Sequence, residues 1–207
     1  MRVIAGQFRS RRLHSSRGLS LRPTSDRLRE TLFDILQPRI AGCFFIDAYA
    51  GTGAVGIEAL SRGARRVVFL EKHKPTIALI QRNLRELGIT KGFEIIAGDA
   101  IKSLEKLALG VPQRQGNLGT AAGTSGQPAD ILFFDPPYAE TQEYVRVLAA
   151  LTNSPLVGPG SLVILERDSH ARILAPTYTL HPGPSAPLVL TRTVTQGDAA
   201  LDFFALP

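Results

Sequence analysis

From Cys43 onward the sequence alternates short apolar runs with longer stretches of helical periodicity, and this alternation limits the possible folds more than any other feature. The runs Cys43–Ile46, Val67–Leu70, Phe93–Ile96, Ile131–Phe134 and Leu162–Leu165 have the length and composition of buried strands. Between them the pattern predicts helices to about Ser61, over Pro75–Leu87 closed by Gly88, over Ile101–Leu109 and over Glu140–Leu151. Strand–helix alternation implies a parallel sheet with helices on both faces. The end of the chain changes character. "LVLTRTV", "TQGD" and "AALDFFAL" read as two strands joined by a tight turn, an antiparallel hairpin at the sheet edge.

A chain of 207 residues, 44% hydrophobic and 20% charged, suffices for one globular domain with a sizeable core. No apolar run approaches the roughly 20 residues of a membrane helix, and "MRVIAGQFRSRRL" lacks a signal-peptide core. One cysteine, Cys43, excludes an internal disulfide framework and a multi-Cys zinc site. The expected setting is a reducing cytoplasm, with no membrane partner, no metal and a monomeric chain.

The charge is unevenly placed. Residues 1–40 hold nine arginines (2, 9, 11, 12, 17, 22, 27, 29 and 39) against Asp26, Glu30 and Asp34, so this segment alone accounts for the net +6. A basic block on a neutral body suggests an anionic partner, most naturally nucleic acid. "RVIAGQFRSRRL" predicts two extended runs around Gly6, a hairpin lined with arginines. "RPTSDRLRETLFDIL" predicts a helix, with N-cap candidates over 23–26, a stripe of Leu28, Leu32, Ile35 and Leu36, and Pro38 as its stop. The chain thus divides into residues 1–40, a basic hairpin and helix suited to an anionic partner, and a strand–helix domain over 41–207. A Gly-, Thr- and Gln-rich insert near 110–128 reads as a flexible surface loop.

Ligands of open parallel sheets bind beyond the C-terminal strand ends. Asp47, Glu71, Asp99 and Asp135 all fall there. One such acid is usually structural, often a helix cap; four together argue for a site. Gly51, Gly53 and Gly56 match G-x-G-x-x-G, with Glu71 eighteen residues after Gly53, the dinucleotide fingerprint. Alone, this leaves a nicotinamide enzyme and a methyltransferase open. Asp47, directly before the glycines, would repel a pyrophosphate but suits the ammonium of S-adenosylmethionine. Asp99 is placed to accept from an adenine amino group.

The fourth run ends in Asp135-Pro136-Pro137-Tyr138. An exocyclic amino nitrogen of adenine or guanine is conjugated with its ring and poorly nucleophilic. The Asp135 carboxylate and the Pro136 carbonyl form an acceptor pair that can hold both N–H bonds and turn the lone pair toward a methyl donor. Two prolines restrict the backbone and pre-aim those acceptors. Tyr138 can stack on an extruded base.

Taken in order, "RVIAGQFRSRRL", "LRPTSDRLRETLFDIL", "FIDAYAGTGAVGIEALSRGA", "VVFLEKH", "GDA" and "FFDPPY" resemble the RsmD family, bacterial 16S rRNA (guanine-N2)-methyltransferases. The likeness runs over roughly residues 2–140. It implies a Rossmann-like class I methyltransferase fold with a mainly parallel seven-stranded sheet. It also implies S-adenosylmethionine as donor, and N2 of one 16S guanine (the guanine 966 type) in the 30S subunit or its assembly intermediate as target. By motif, Asp47, Ala48, Gly51, Gly53, Glu71, Asp99 and Ala100 should line the cofactor pocket. Asp135, Pro136, Pro137 and Tyr138 should form the catalytic loop, and Arg9, Arg11, Arg12, Arg22 and Arg27 should face RNA. Arg22, Thr24, Asp26 and Arg27 belong to the N-terminal motif. Another DNA, RNA or protein amino-methyltransferase of the D-P-P-Y class is the nearest alternative. A non-catalytic rRNA-binding assembly protein and a nicotinamide oxidoreductase are the others.

Overall fold

The computed structural model describes residues 1–15, 25–110, 126–137, 141–152, 154–171 and 188–207. The five apolar runs are strands of one sheet: β1 Phe44–Ala48, β2 Arg66–Glu71, β3 Phe93–Ala97, β4 Ile131–Phe134 and β5 Leu162–Asp168. All five are mutually parallel, and the hairpin β6 Val189–Gln196 and β7 Ala199–Ala205 adds antiparallel strands. The order is β3-β2-β1-β4-β5-β7-β6. The chain winds from β1 out to β3, then crosses to β4 on the other side of β1. That reversal makes the β1–β4 junction the switch point, where open sheets leave a crevice.

Alternate strand residues serve two cores. Phe45, Phe69, Phe133, Ile164 and Phe203 pack with α1 (Asp26–Ile40), α2 (Ala54–Ser61) and α3 (Lys74–Glu86). Phe44, Ile46, Leu70, Phe134, Leu165 and Phe204 pack with α4 (Ala100–Ala108) and α5 (Thr141–Leu151). Burial on both faces explains why the strands read as apolar runs rather than alternating ones.

Two local expectations hold only in part. Residues 1–13 turn back antiparallel around Gly6, but the pairing is short: one bridge joins Arg2 to Arg12, the Val3 and Leu13 N–H groups donate to the Arg11 and Met1 carbonyls at 3.0 and 3.1 Å, and bends and turns fill residues 5–10. The reason is competition from α2. The N–H groups of Ile4 and Ala5 donate to the Glu58 carboxylate at 2.7 and 2.9 Å, and the Phe8 N–H donates to Ser61 Oγ at 3.0 Å. Gly6, at φ +80°, lies so close that a Cβ there would sit 1.9 Å from the Ser61 carbonyl oxygen. The second correction concerns Pro38, which lies inside α1. The helix runs on to Ile40, because a proline in the last turn removes only one backbone hydrogen bond.

Residues 1–40 also pack into the protein. Val3, Leu13, Leu28, Leu32, Phe33 and Leu36 belong to the same apolar cluster as Phe45 and Phe69. Arg29, counted in sequence among the basic block, is fully buried and donates to Asp26 Oδ1 at 2.9 Å and to the Arg2 carbonyl at 2.6 Å. Its burial holds the guanidinium pKa below its ordinary value. The sequence insert falls largely outside the described residues. Among the described residues no helix is long and apolar enough to cross a membrane.

Candidate active site

The residues of the predicted cofactor pocket meet at the C-terminal rim. Asp47, next to last in β1, shares a row with Phe69 and Phe133, so its side chain lies on the α2 face. It is 2% exposed, and Oδ2 accepts the Gly56 N–H of α2 at 2.8 Å. Burial pushes its pKa up to about 8; the Gly56 bond opposes the shift and the nearby Glu71 carboxylate adds to it. An acid so placed is short of positive charge.

Glu71 closes β2. Its Oε2 accepts the Gly51 N–H at 3.0 Å, and its Oε1 accepts the His73 N–H at 2.8 Å. The carboxylate therefore braces the turn that follows β1. That turn needs left-handed backbone three times: Tyr49 at φ +62°, Gly51 at +54° and Gly53 at +76°. Glycine adopts such angles freely, whereas Tyr49 does so at a cost of roughly 1–3 kcal/mol. Gly56 serves another purpose. A Cβ there would lie 2.3 Å from the Phe69 ring, so the third glycine of the fingerprint permits helix–strand contact.

Asp99 caps α4, accepting the Lys102 N–H at 3.1 Å, and Ala100 is the buried first residue of that helix. Ala48 ends β1 opposite Phe134 of β4, and its carbonyl accepts the Asp135 N–H at 3.4 Å. This contact joins the Gly turn to the D-P-P-Y loop at the switch point. Asp135 is partly buried, Pro136 buried and Pro137 exposed. Tyr138, Arg22 and Thr24 lie outside the described residues.

The arginines separate. Arg27 is exposed at the start of α1, beside Gln196 of the hairpin tip. Arg9 and Arg11 are exposed near the far end of α2, where the neighbouring Phe8 is held by Ser61, and Arg11 donates to the Glu86 carbonyl at 2.9 Å. Arg12 is exposed at the bridge to Arg2.

Sequence reasoning missed two connections at this site. Asn83 of α3, 1% exposed, donates to the carbonyls of Thr52 in the Gly turn at 3.0 Å and of His14 at 3.2 Å. Its one signal is its place on the buried face of α3, three residues after Ile80 and four before Leu87. Tyr49 Oη donates to Glu143 Oε1 of α5 at 2.7 Å, and no local pattern announces that pairing.

A family model described as conserved hypothetical protein 95 matches residues 1–182. Ribosomal RNA small subunit methyltransferase D of Haemophilus influenzae is 31% identical over 177 residues, covering 85% of this chain and 83% of that protein. The chain belongs to the RsmD family. Another relative, YlbH of Bacillus subtilis, is 30% identical over 197 residues, 95% of this chain and 94% of its own. Among solved structures, Escherichia coli yhhF superposes with a TM-score of 0.73 at 26% identity, covering 100% of this RsmD-family chain and 97% of that one. An RNA methyltransferase from Salinibacter ruber, solved with S-adenosyl-L-homocysteine, shares the fold at a TM-score of 0.57 and 15% identity, over 89% of this chain and 94% of that one.

The rim of this RsmD-family member suits a cationic cofactor better than a dinucleotide. A buried carboxylate beside a second carboxylate opposes a pyrophosphate and favours an ammonium. Gly51 and Gly53 give the turn its left-handed backbone at φ +54° and +76°.

Proposed function

We propose that this chain methylates the exocyclic N2 amino group of one guanine in 16S rRNA, at the guanine 966 type of site, on a 30S subunit or its assembly intermediate. Membership of the RsmD family underlies the activity, and S-adenosylmethionine is the methyl donor. The single observation that carries the assignment of residues is the Asp135 N–H bonded to the Ala48 carbonyl. It brings Asp135 next to the end of β1, where the Gly turn starts, and so supports reading the two segments as one site.

Asp47 would hold the cofactor ammonium, Glu71 its ribose hydroxyls and Asp99 its adenine amino group, with Gly51 and Gly53 allowing close backbone contact. When bound, S-adenosylmethionine supplies an electrophilic methyl group on a sulfonium. The Asp135 carboxylate and Pro136 carbonyl hold the two N–H bonds of the guanine amino group. They aim its lone pair and stabilise the positive charge that grows on nitrogen. Tyr138 stacks on the extruded base, as aromatic side chains do in base-flipping enzymes. The exposed Arg9, Arg11, Arg12 and Arg27, with Arg22, neutralise backbone phosphates.

Labelled S-adenosylmethionine offered with unmodified 30S particles, naked 16S rRNA and duplex DNA tests this reading. Label should map to a guanine N2 of the small-subunit RNA; label confined to DNA would overturn it. Asp135→Ala should lower transfer at least ~100-fold, since preplaced charge-stabilising groups are worth about that much, while binding of S-adenosylhomocysteine stays within several-fold. Replacing Arg9, Arg11 and Arg12 with Ala should flatten the salt dependence of RNA binding by roughly 0.7 in log–log slope per lost phosphate contact. An unchanged slope would remove these three residues from the RNA footprint.

A further inference from the structure

Two consecutive residues of the Gly turn bond to Asp135, after β4, and to Glu143, in α5. The Asp135 N–H bonds to the carbonyl of Ala48. In the first turn of α5, Glu143 accepts from the hydroxyl of Tyr49 at 2.7 Å. We propose that the Tyr49–Glu143 hydrogen bond is a strut that sets the distance between the cofactor turn and the catalytic loop, making both residues positioning residues for methyl transfer. This inference rests on the reading of that loop given above.

Three features support it. Tyr49 occupies left-handed backbone at φ +62°, which a bulky aromatic residue keeps only where its surroundings over-determine it. Glu143 is a buried carboxylate on an otherwise amphipathic helix, at 5% exposure. Its second oxygen accepts from Arg146 Nη1 at 2.7 Å, which leaves Oε1 aimed at Tyr49. Burial, and then the hydrogen bond to Glu143, raise the Tyr49 pKa, so the phenol remains a donor throughout any working pH range. The neighbouring Tyr144 points another way: its Oη donates to Asp202 Oδ2 at 2.6 Å and ties α5 to β7. Two adjacent residues thus anchor α5 in two directions, one to the site and one to the scaffold.

Displacing a reacting group by about 1 Å can cost ~100-fold in rate without weakening binding. Loss of the strut should therefore appear in turnover rather than in affinity. The test measures kcat and KM for methyl transfer to unmodified small-subunit RNA or particles, with binding of S-adenosylhomocysteine by calorimetry, in the full chain. Tyr49→Phe removes one oxygen and keeps the ring. We expect kcat to fall about 10-fold or more, with RNA KM and S-adenosylhomocysteine affinity within about two-fold. Glu143→Ala should match it, and the double variant should be no worse than either, as for partners in one interaction. Glu143→Gln retains an acceptor and should recover most of the rate. A Tyr49→Phe enzyme with wild-type kcat, or one defective only in cofactor affinity, overturns the strut. Asp135→Ala run in parallel separates the two ideas. An inactive Asp135→Ala with a fully active Tyr49→Phe removes the strut alone, whereas an active Asp135→Ala removes the reading of the loop as well.

Discussion

Two buried aspartates sit one row apart near the same end of the sheet, and they are opposites. Asp47 lies on the α2 face in the row of Phe69 and Phe133; Asp202 lies on the α5 face in the row of Leu165. Asp202 is fully buried and heavily partnered. It accepts from Tyr144 Oη at 2.6 Å, Thr193 Oγ1 at 2.7 Å, and Arg167 Nε and Nη2 at 2.7 and 3.3 Å. A guanidinium neutralises it and four elements meet at it. Asp47 is as deeply buried, yet among the described residues its hydrogen-bond partner is one backbone N–H, and the charge acting on it is another acid, Glu71. Burial of a charge is expensive unless it is paired. Asp202 finds its cation within the chain; among the described residues Asp47 has none. Full burial of an acid therefore does not by itself mark a site; the missing counter-charge does.

The largest effect should follow from breaking the saturated partner. Asp202→Ala removes the carboxylate that Arg167, Tyr144 and Thr193 share and should cost about 3–5 kcal/mol of stability, read from urea unfolding. The folded fraction should still bind S-adenosylhomocysteine normally. A loss of binding without a loss of stability would erase the contrast.

Asp47→Asn should do the reverse, weakening S-adenosylhomocysteine binding by roughly 100-fold, the scale for removing a charged partner of a buried ion. Its stability should match or exceed the wild type. The pH dependence has a definite sign. An aspartate raised to about 8 in the folded state binds more protons than the unfolded chain between about pH 4 and 8, so wild-type stability declines with rising pH across that window. Asp47→Asn lacks this decline, and its advantage should be complete above about pH 8. Parallel melting curves from pH 5 to 9 would refute the shift.

The smallest signal is the most direct. At pH 6.5 the ligand ammonium is already charged, and Asp47 is protonated in the free protein. Binding should drive it to the carboxylate and release about one proton, read by calorimetry in buffers of different ionisation enthalpy. Asp47→Asn should release none; equal release by both would place the ammonium elsewhere.

Much of this was legible in sequence because parallel strands buried on both faces must be continuous apolar runs. Ile131–Phe134 was read residue for residue, and the acids at the run ends fell on one rim because strand polarity puts them there. The N-terminal segment pairs antiparallel more briefly than its sequence suggests, for a reason that sequence does not display. Val3 and Leu13 donate across the segment to Arg11 and Met1, but the N–H groups of Ile4, Ala5 and Phe8 are satisfied by Glu58 and Ser61, more than fifty residues away. Arg29 was similarly misplaced. A charge count treats all arginines as surface, although Arg29 follows Leu28 on the buried side of α1.

What the sequence determined alone is the order of elements, the position of the Gly turn and the acids that follow each strand, since these depend on local periodicity and backbone chemistry. Which buried acid meets a cation and which meets another acid, and that Tyr49 reaches Glu143, depended on the tertiary structure. Hydrogen-bond partners and counter-charges come from residues distant in the chain, and only the packed sheet brings them within 3 Å.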